Sequence, residues 1–95
     1  MALKKEKEYA QNAEILKALA HSTRLRITEG LINAEGSESS VMDIVKALNL
    51  PQATISQHLK ILKSTGIIEG ERRGTRIIYK IRNEKVKELI KAITK

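Results

Sequence analysis

The chain has 95 residues, no Cys, Trp or Phe, two Tyr, and 18 Lys and Arg against 11 Asp and Glu, for a formal net charge of +7. That length allows one domain at most and buries only about two-thirds of the unfolded surface, which disfavours a large apolar cavity and makes a stabilising partner useful. The lack of Cys excludes disulfides, thiolate metal sites and thiol redox switching, and no run approaches the ~18 apolar residues of a membrane span.

The first residues, Met1 to Glu6, pass directly into charge with no apolar stretch, so a soluble cytoplasmic chain without a signal peptide is expected. From about Lys5 to Ala20 the pattern is helical, with Ala13, Leu16 and Ala20 on one face and Ile15 and Leu19 beside it. Ser22 can cap a second helix, Thr23 to Asn33, with Leu25, Ile27, Leu31 and Ile32 around its inner side. Residues Glu35 to Ser40 read as a surface loop. Ser40 then caps a short third helix with Asp43 in its first turn, and Val41, Ile44, Val45 and Leu48 recur at i, i+3, i+4 and i+7. Asn49 suits a left-handed helix end, and Pro51 stands where the next helix begins.

The fourth helix runs from about Gln52 to Ser64 and stops at Gly66. Ile55, Leu59 and Leu62 form its inner side; Ala53, Gln57, Lys60 and Ser64 lie opposite, flanked by Thr54 and Ser56, so the outward half is small, polar or basic apart from Ile61. After Gly66 the period changes to two. Ile67 to Arg72 and Arg76 to Arg82 read as strands joined by an Arg73-Gly74-Thr75 turn, with Ile77, Tyr79 and Ile81 sharing a face. Asn83 caps a last helix, Glu84 to about Thr94, whose stripe is Val86, Leu89, Ile90 and Ile93.

Charge follows this division. Residues 1–56 hold seven Lys/Arg and seven Asp/Glu, whereas residues 57–95 hold eleven and four and carry the whole excess. Charge confined to one segment points to a polyanion partner over a merely solubilising surface. Two helices across a short break, the second with a slim polar face, followed by an arginine-tipped hairpin, make a helix-turn-helix with a β-wing. Such a helix fits a major groove, where Gln reads base edges; a narrow Arg-tipped ribbon reaches a minor groove or flanking phosphates. The expected fold is thus α+β, mainly α: a winged helix-turn-helix of five helices plus a two-stranded β-wing, in one domain over residues 1–95. Candidate DNA contacts are Gln52, Ala53, Thr54, Ser56, Gln57, His58, Lys60, Arg72, Arg73 and Arg76. Gln57 is the best base reader, and His58 is balanced between contact and positioning roles. Gly74 suits a turn and Tyr79 a core position. Two aromatics give little support to single-strand stacking.

The run Leu16 to Ile27, reading LKALAHSTRLRI, resembles the opening signature of ArsR/SmtB-type repressors, and Leu50 to Leu62, reading LPQATISQHLKIL, resembles their recognition helix. Gly66-Ile67-Ile68, Arg73-Gly74 and Tyr79 resemble their wing, so the likeness covers nearly the whole chain. Pro51, Gln57-His58 and Asn83 to Val86 are most similar to the PagR-like branch of bacilli. The resemblance implies a homodimer that binds a palindromic operator in double-stranded DNA and represses transcription, with the first and last helices at the dimer interface. Leu16, Val86, Leu89, Ile90 and Ile93 are the candidate interface residues, the alternative being that the last stripe folds back on its own domain.

Many members of that family sense metals through Cys near the third helix or Asp and His on the last. Here the third helix has no Cys and the last has neither His nor Asp, leaving only His21 and His58. Zinc needs three or four convergent ligands, so no metal or other cofactor is expected. No phosphate-cradling loop or activated nucleophile is visible, so no enzymatic activity is expected. The alternative function is a winged-helix protein-interaction adaptor or antirepressor that does not bind DNA.

Overall fold

The computed structural model describes residues 1–95. The helices are α1 (Glu6–Leu19), α2 (Ser22–Asn33), α3 (Val41–Leu48), α4 (Gln52–Ser64) and α5 (Glu84–Ile93); the strands are β1 (Glu38–Ser40), β2 (Ile68–Arg73) and β3 (Arg76–Ile81). Short-range chemistry sets most helix ends. Ser40 Oγ accepts from the Asp43 N–H at 3.2 Å, and Asn83 Oδ1 accepts from the N–H groups of Lys85 and Val86 at 2.9 and 3.3 Å, as expected of caps. α2 differs: its cap is His21, whose Nδ1 accepts from the Thr23 N–H at 3.1 Å, and Ser22 is already helical. The imidazole Nδ1 stands as far from the backbone as an Asn oxygen, so it reaches the same donor.

The α3–α4 break is short because Asn49 adopts φ 55°, ψ 45° and donates its N–H to the Val45 carbonyl. α4 ends in a Schellman motif at Gly66, φ 76°: Gly66 donates to the Lys63 carbonyl and Ile67 to the Leu62 carbonyl. The Ile67 N–H is thereby spent on the helix end, while its carbonyl accepts from the Arg82 N–H, and β2 starts at Ile68, one residue later than the alternation predicts.

The sheet is antiparallel with order β1-β3-β2. The hairpin of β2 and β3 is the expected wing, but a third strand joins it. Glu38, Ser39 and Ser40 pair with Lys80, Tyr79 and Ile78, so part of the expected surface loop is ordered as β1. Nothing in Glu-Ser-Ser favours a strand; the open edge of β3 supplies the pairing. At the wing tip Arg73 pairs with Arg76 around a two-residue turn, and Gly74 at φ 65° takes the positive angle that the first turn position needs. Gly70 lies opposite Tyr79, whose ring crosses it so closely that a Cβ there would meet Cε1 at 2.9 Å.

The core gathers thirteen buried apolar residues from all five helices, Ile67 and the start of β2. Ile55, Leu59 and Leu62 are buried as expected, each worth about 1.5–3 kcal/mol, which fixes the opposite side of α4 outward. Thr28 is also fully buried, with its hydroxyl donating to the Arg24 and Leu25 carbonyls. Tyr79 and Ile81 pack half-buried against the core, while Ile77 is exposed.

Two expected faces come out differently. α1 turns Ile15, Ala18 and Leu19 inward and leaves Ala13, Leu16 and Ala20 on the surface. The α5 stripe is divided: Val86 and Ile90 pack into the protomer's own core, while Leu89 and Ile93 stay exposed.

Candidate nucleic-acid interface

α4 begins at Pro51, whose carbonyl accepts from the Ile55 N–H at 3.1 Å and which supplies no side-chain cap. The first-turn N–H groups of α4 therefore lack the side-chain acceptor that α2, α3 and α5 possess, and such groups favour an anion. Gln52, Ala53, Ser56, Gln57 and Lys60 are exposed and Thr54 is half-buried. None of the polar ones makes a side-chain hydrogen bond or ion pair within the protomer; along α4 only His58 and Ser64 do. No Asp or Glu occurs between residues 52 and 64. The helix thus presents a slim face with its hydrogen-bonding capacity unspent.

Gln52 shares a shallow cleft of about 230 Å³ with Met42 on α3 and with Thr75, Arg76 and Ile77 of the wing. The start of α4 and the hairpin tip therefore border one concave surface.

The three wing arginines are not equivalent. Arg72 is exposed and has no partner in the protomer. Arg73 grips Glu38 with both nitrogens, Nη1 to Oε1 at 2.7 Å and Nη2 to Oε2 at 3.0 Å, and Nη2 also donates to Glu71 Oε2 at 3.0 Å. Arg76 Nη2 donates to Ser40 Oγ at 2.8 Å and lies 3.4 Å from Asp43 Oδ2. Hydrogen bonding from Arg73 holds both Glu38 and Glu71 below the usual carboxylate range, and the same bonds push the guanidinium up. Of the three candidate wing contacts, Arg73 and Arg76 are paired with neighbours on β1, β2 and α3, and Arg72 is not. Glu71 lies in the tip sequence and was open to notice; Glu38 enters only through β1.

His58 sits on the inner flank of α4, half-buried, 4.6 Å from the His21 ring between centroids. Its Nδ1 is 3.2 Å from Arg24 Nη1. Burial first, then the neighbouring His21 and the Arg24 guanidinium, hold its imidazole below the ordinary range. Arg24 carries no local signal of this role, because its partners, Ala18 and His58, lie on other helices. The two histidines are neighbours, yet no three His, Cys, Asp or Glu side chains converge in the protomer as a cation would require.

On the far helices, a groove of about 280 Å³ between α1 and α5 is lined by Ile15, Leu16, Val86 and Leu89 with Asn12, Asn83 and Lys85 at its sides. Leu16 is 54% and Ile93 58% exposed, large values for such side chains, and residues 6–14 of α1 are exposed throughout. No helix is long and apolar enough to cross a membrane.

Comparison with known proteins agrees with this geometry. The profile described as bacterial regulatory protein, arsR family, matches residues 21–69. Over 86 residues the chain is 43% identical to an uncharacterized HTH-type transcriptional regulator of Methanocaldococcus jannaschii, covering 90% of this chain and 94% of that one. It is 38% identical to the transcriptional repressor PagR of Bacillus anthracis, over 86% of this chain and 80% of that one. The PagR crystal structure superposes with a TM-score of 0.87 at 34% identity, covering 95% and 100% of the two chains. A homodimeric winged helix-turn-helix DNA-binding domain from Mycobacterium bovis superposes with a TM-score of 0.79 at 35% identity, covering 98% and 86%. The chain belongs to the arsR family of transcriptional regulators, with α3, α4 and the β2–β3 hairpin as its winged helix-turn-helix.

Proposed function

We propose that the whole chain acts as one winged-helix unit, pairs with a second copy, and represses transcription in the cytoplasm by binding a palindromic operator. The observation that carries this reading is the α4 face: Gln52, Gln57 and Lys60 exposed, uncapped and without internal partners, beside an arginine-tipped wing. Gln57 reads a base edge, Ala53 and Ser56 allow close approach, Lys60 and Arg72 hold phosphates, and Arg73 and Arg76 contribute after release from their acids. Two such helices one helical turn apart, about 34 Å, address the two half-sites.

The pairing is supported by exposed Leu16 and Leu89 along the α1–α5 groove and by exposed Ile93 at the end of α5. Val86, already buried, acts as the floor of that groove, while Ile90 stays in the protomer's own core.

Sedimentation combined with duplex binding tests it. The wild-type chain is expected to sediment as a dimer and to select an inverted repeat from random duplexes. Leu89→Glu combined with Ile93→Glu is expected to give folded monomers whose operator affinity falls by orders of magnitude. A wild-type dimer that binds no duplex at any salt concentration would instead leave the protein-interaction reading.

A further inference from the structure

The entry into α2 packs on the flank of α4 through polar contacts that the DNA-facing surface does not use. Arg24 has two arms there. Its Nε donates to the Ala18 carbonyl at the end of α1, and its Nη1 approaches Nδ1 of His58 at 3.2 Å. His21 caps α2 with its own Nδ1 and stands against His58 with rings 4.6 Å apart and tilted by 52°. One side chain thus ties three helices together beside two imidazoles.

The donor inventory fixes the protonation state. A guanidinium and a backbone N–H donate and never accept. Both Nδ1 atoms must therefore present lone pairs, and each neutral ring carries its proton on Nε2. A proton added to Nδ1 of His58 would turn an acceptor into a donor aimed at a cation. The charged or titratable groups acting on His58 are His21, the cap of α2, and Arg24 in its first turn; α1 contributes a carbonyl, and no carboxylate acts there to compensate.

We infer that Arg24 and His58 are positioning residues that hold the DNA-reading helix α4 in register against α1 and α2 only while His58 is neutral, so that operator affinity depends on pH through a contact that does not touch DNA. The inference rests on α4 being the reading element. It also assigns His58 a different role from Gln57 and Lys60. The sign follows from the environment. Burial first, then the neighbouring His21 ring and the Arg24 guanidinium, lower the His58 pKa from 6.5. The unfolded chain then takes up the proton first, so the contact is at full strength above about pH 6.5 and is lost as pH falls through the folded value. A direct phosphate contact by His58 has the opposite sign, because phosphate favours the imidazolium.

The test is a fluorescence anisotropy titration of the full chain on the selected duplex, at constant ionic strength, from about pH 7.5 to about pH 5.5. His58→Asn is the informative variant, since its amide oxygen can accept from Arg24 where Nδ1 does and does not titrate. Wild-type affinity is expected to fall about tenfold relative to His58→Asn across that range, the fold-change carried by one hydrogen bond to a charged donor. Arg24→Met is expected to lose about as much at the upper pH and to keep its helical circular dichroism. If Arg24→Met fails to fold, the His58→Asn comparison still decides. Identical pH profiles for wild type and His58→Asn would overturn the inference, as would a wild-type affinity that rises on acidification relative to that variant. Nitrogen NMR of the two imidazoles, read without DNA, is expected to show both protons on Nε2; Nδ1–H in either ring would overturn the contact itself. Failure of α4 as the reading element would look different: no duplex bound at any pH, with the Nε2 tautomers intact.

Discussion

α4 and the wing both carry exposed polar and cationic groups, and they differ in what those groups already touch. The side chains of Gln52, Gln57 and Lys60 on α4 make no hydrogen bond or ion pair within the protomer, no carboxylate interrupts the helix, and no side chain caps it. The wing carries more charge, but Arg73 is clamped by Glu38 and Glu71, and Arg76 by Ser40 and Asp43. Formal charge counts the two regions alike; available charge does not. Phosphate at Lys60 displaces water and counterions, whereas phosphate at Arg73 must displace a bidentate carboxylate pair. Exposed pairs are individually weak, so the wing is held back from DNA without being removed from it. Under the proposed function, the difference gives sequence reading to α4 and a restrained, salt-sensitive contribution to the hairpin.

The largest effect that tests this comparison belongs to α4. Gln57→Ala is expected to weaken operator binding by about 1–3 kcal/mol and to relax preference at one base position, measured by affinity across a set of single-base operator variants. A uniform loss over that set would move Gln57 from a base edge to the backbone. A smaller effect separates the arginines. Arg72→Ala is expected to flatten the slope of log affinity against log salt by about 0.9, one phosphate's share, and Arg73→Ala by clearly less. Equal flattening would mean that the acids at Arg73 have no consequence for DNA.

How much of this was legible in the sequence depended on the range of the interaction. Ser40, Asn49 and Asn83 act within four residues of themselves, so the ends of α3 and α5 could be read from local chemistry. The apolar period of α4 fixed its inner side, and with it the outward face. His21 displaced Ser22 as a cap because sequence rules rank the hydroxyl first while geometry admits the imidazole. β1 was hidden because its strand character comes from the edge of β3, forty residues away. The clamp on Arg73 depended in turn on β1, since it brings Glu38 alongside from 35 positions upstream. The stripe on α5 was visible as a stripe, but one wide apolar face can serve two neighbours. Only packing separates Val86 and Ile90, used inside the protomer, from Leu89 and Ile93, left outside.

The smallest effect sharpens the comparison from the acidic side. Glu38→Gln with Glu71→Gln removes the two charges that hold Arg73 and leaves β1 and β2 with side chains of the same size. The freed guanidinium is expected to bring the wing nearer to α4 in behaviour, steepening the salt slope by up to about 0.9 and tightening binding modestly. Acid does not reproduce this in the ordinary range. Both carboxyls lie below their usual value of 4.5 because Arg73 donates to them. Their pairing is therefore complete above that value and is lost only as pH falls through the lower folded values. Between about pH 5.5 and about pH 7.5 the difference in salt slope between wild type and the double variant should stay constant, while the affinity change traced to His58 proceeds. A slope difference that shrank over that interval would show that Glu38 and Glu71 do not restrain Arg73, and the contrast between a ready helix and a tethered wing would fall with it.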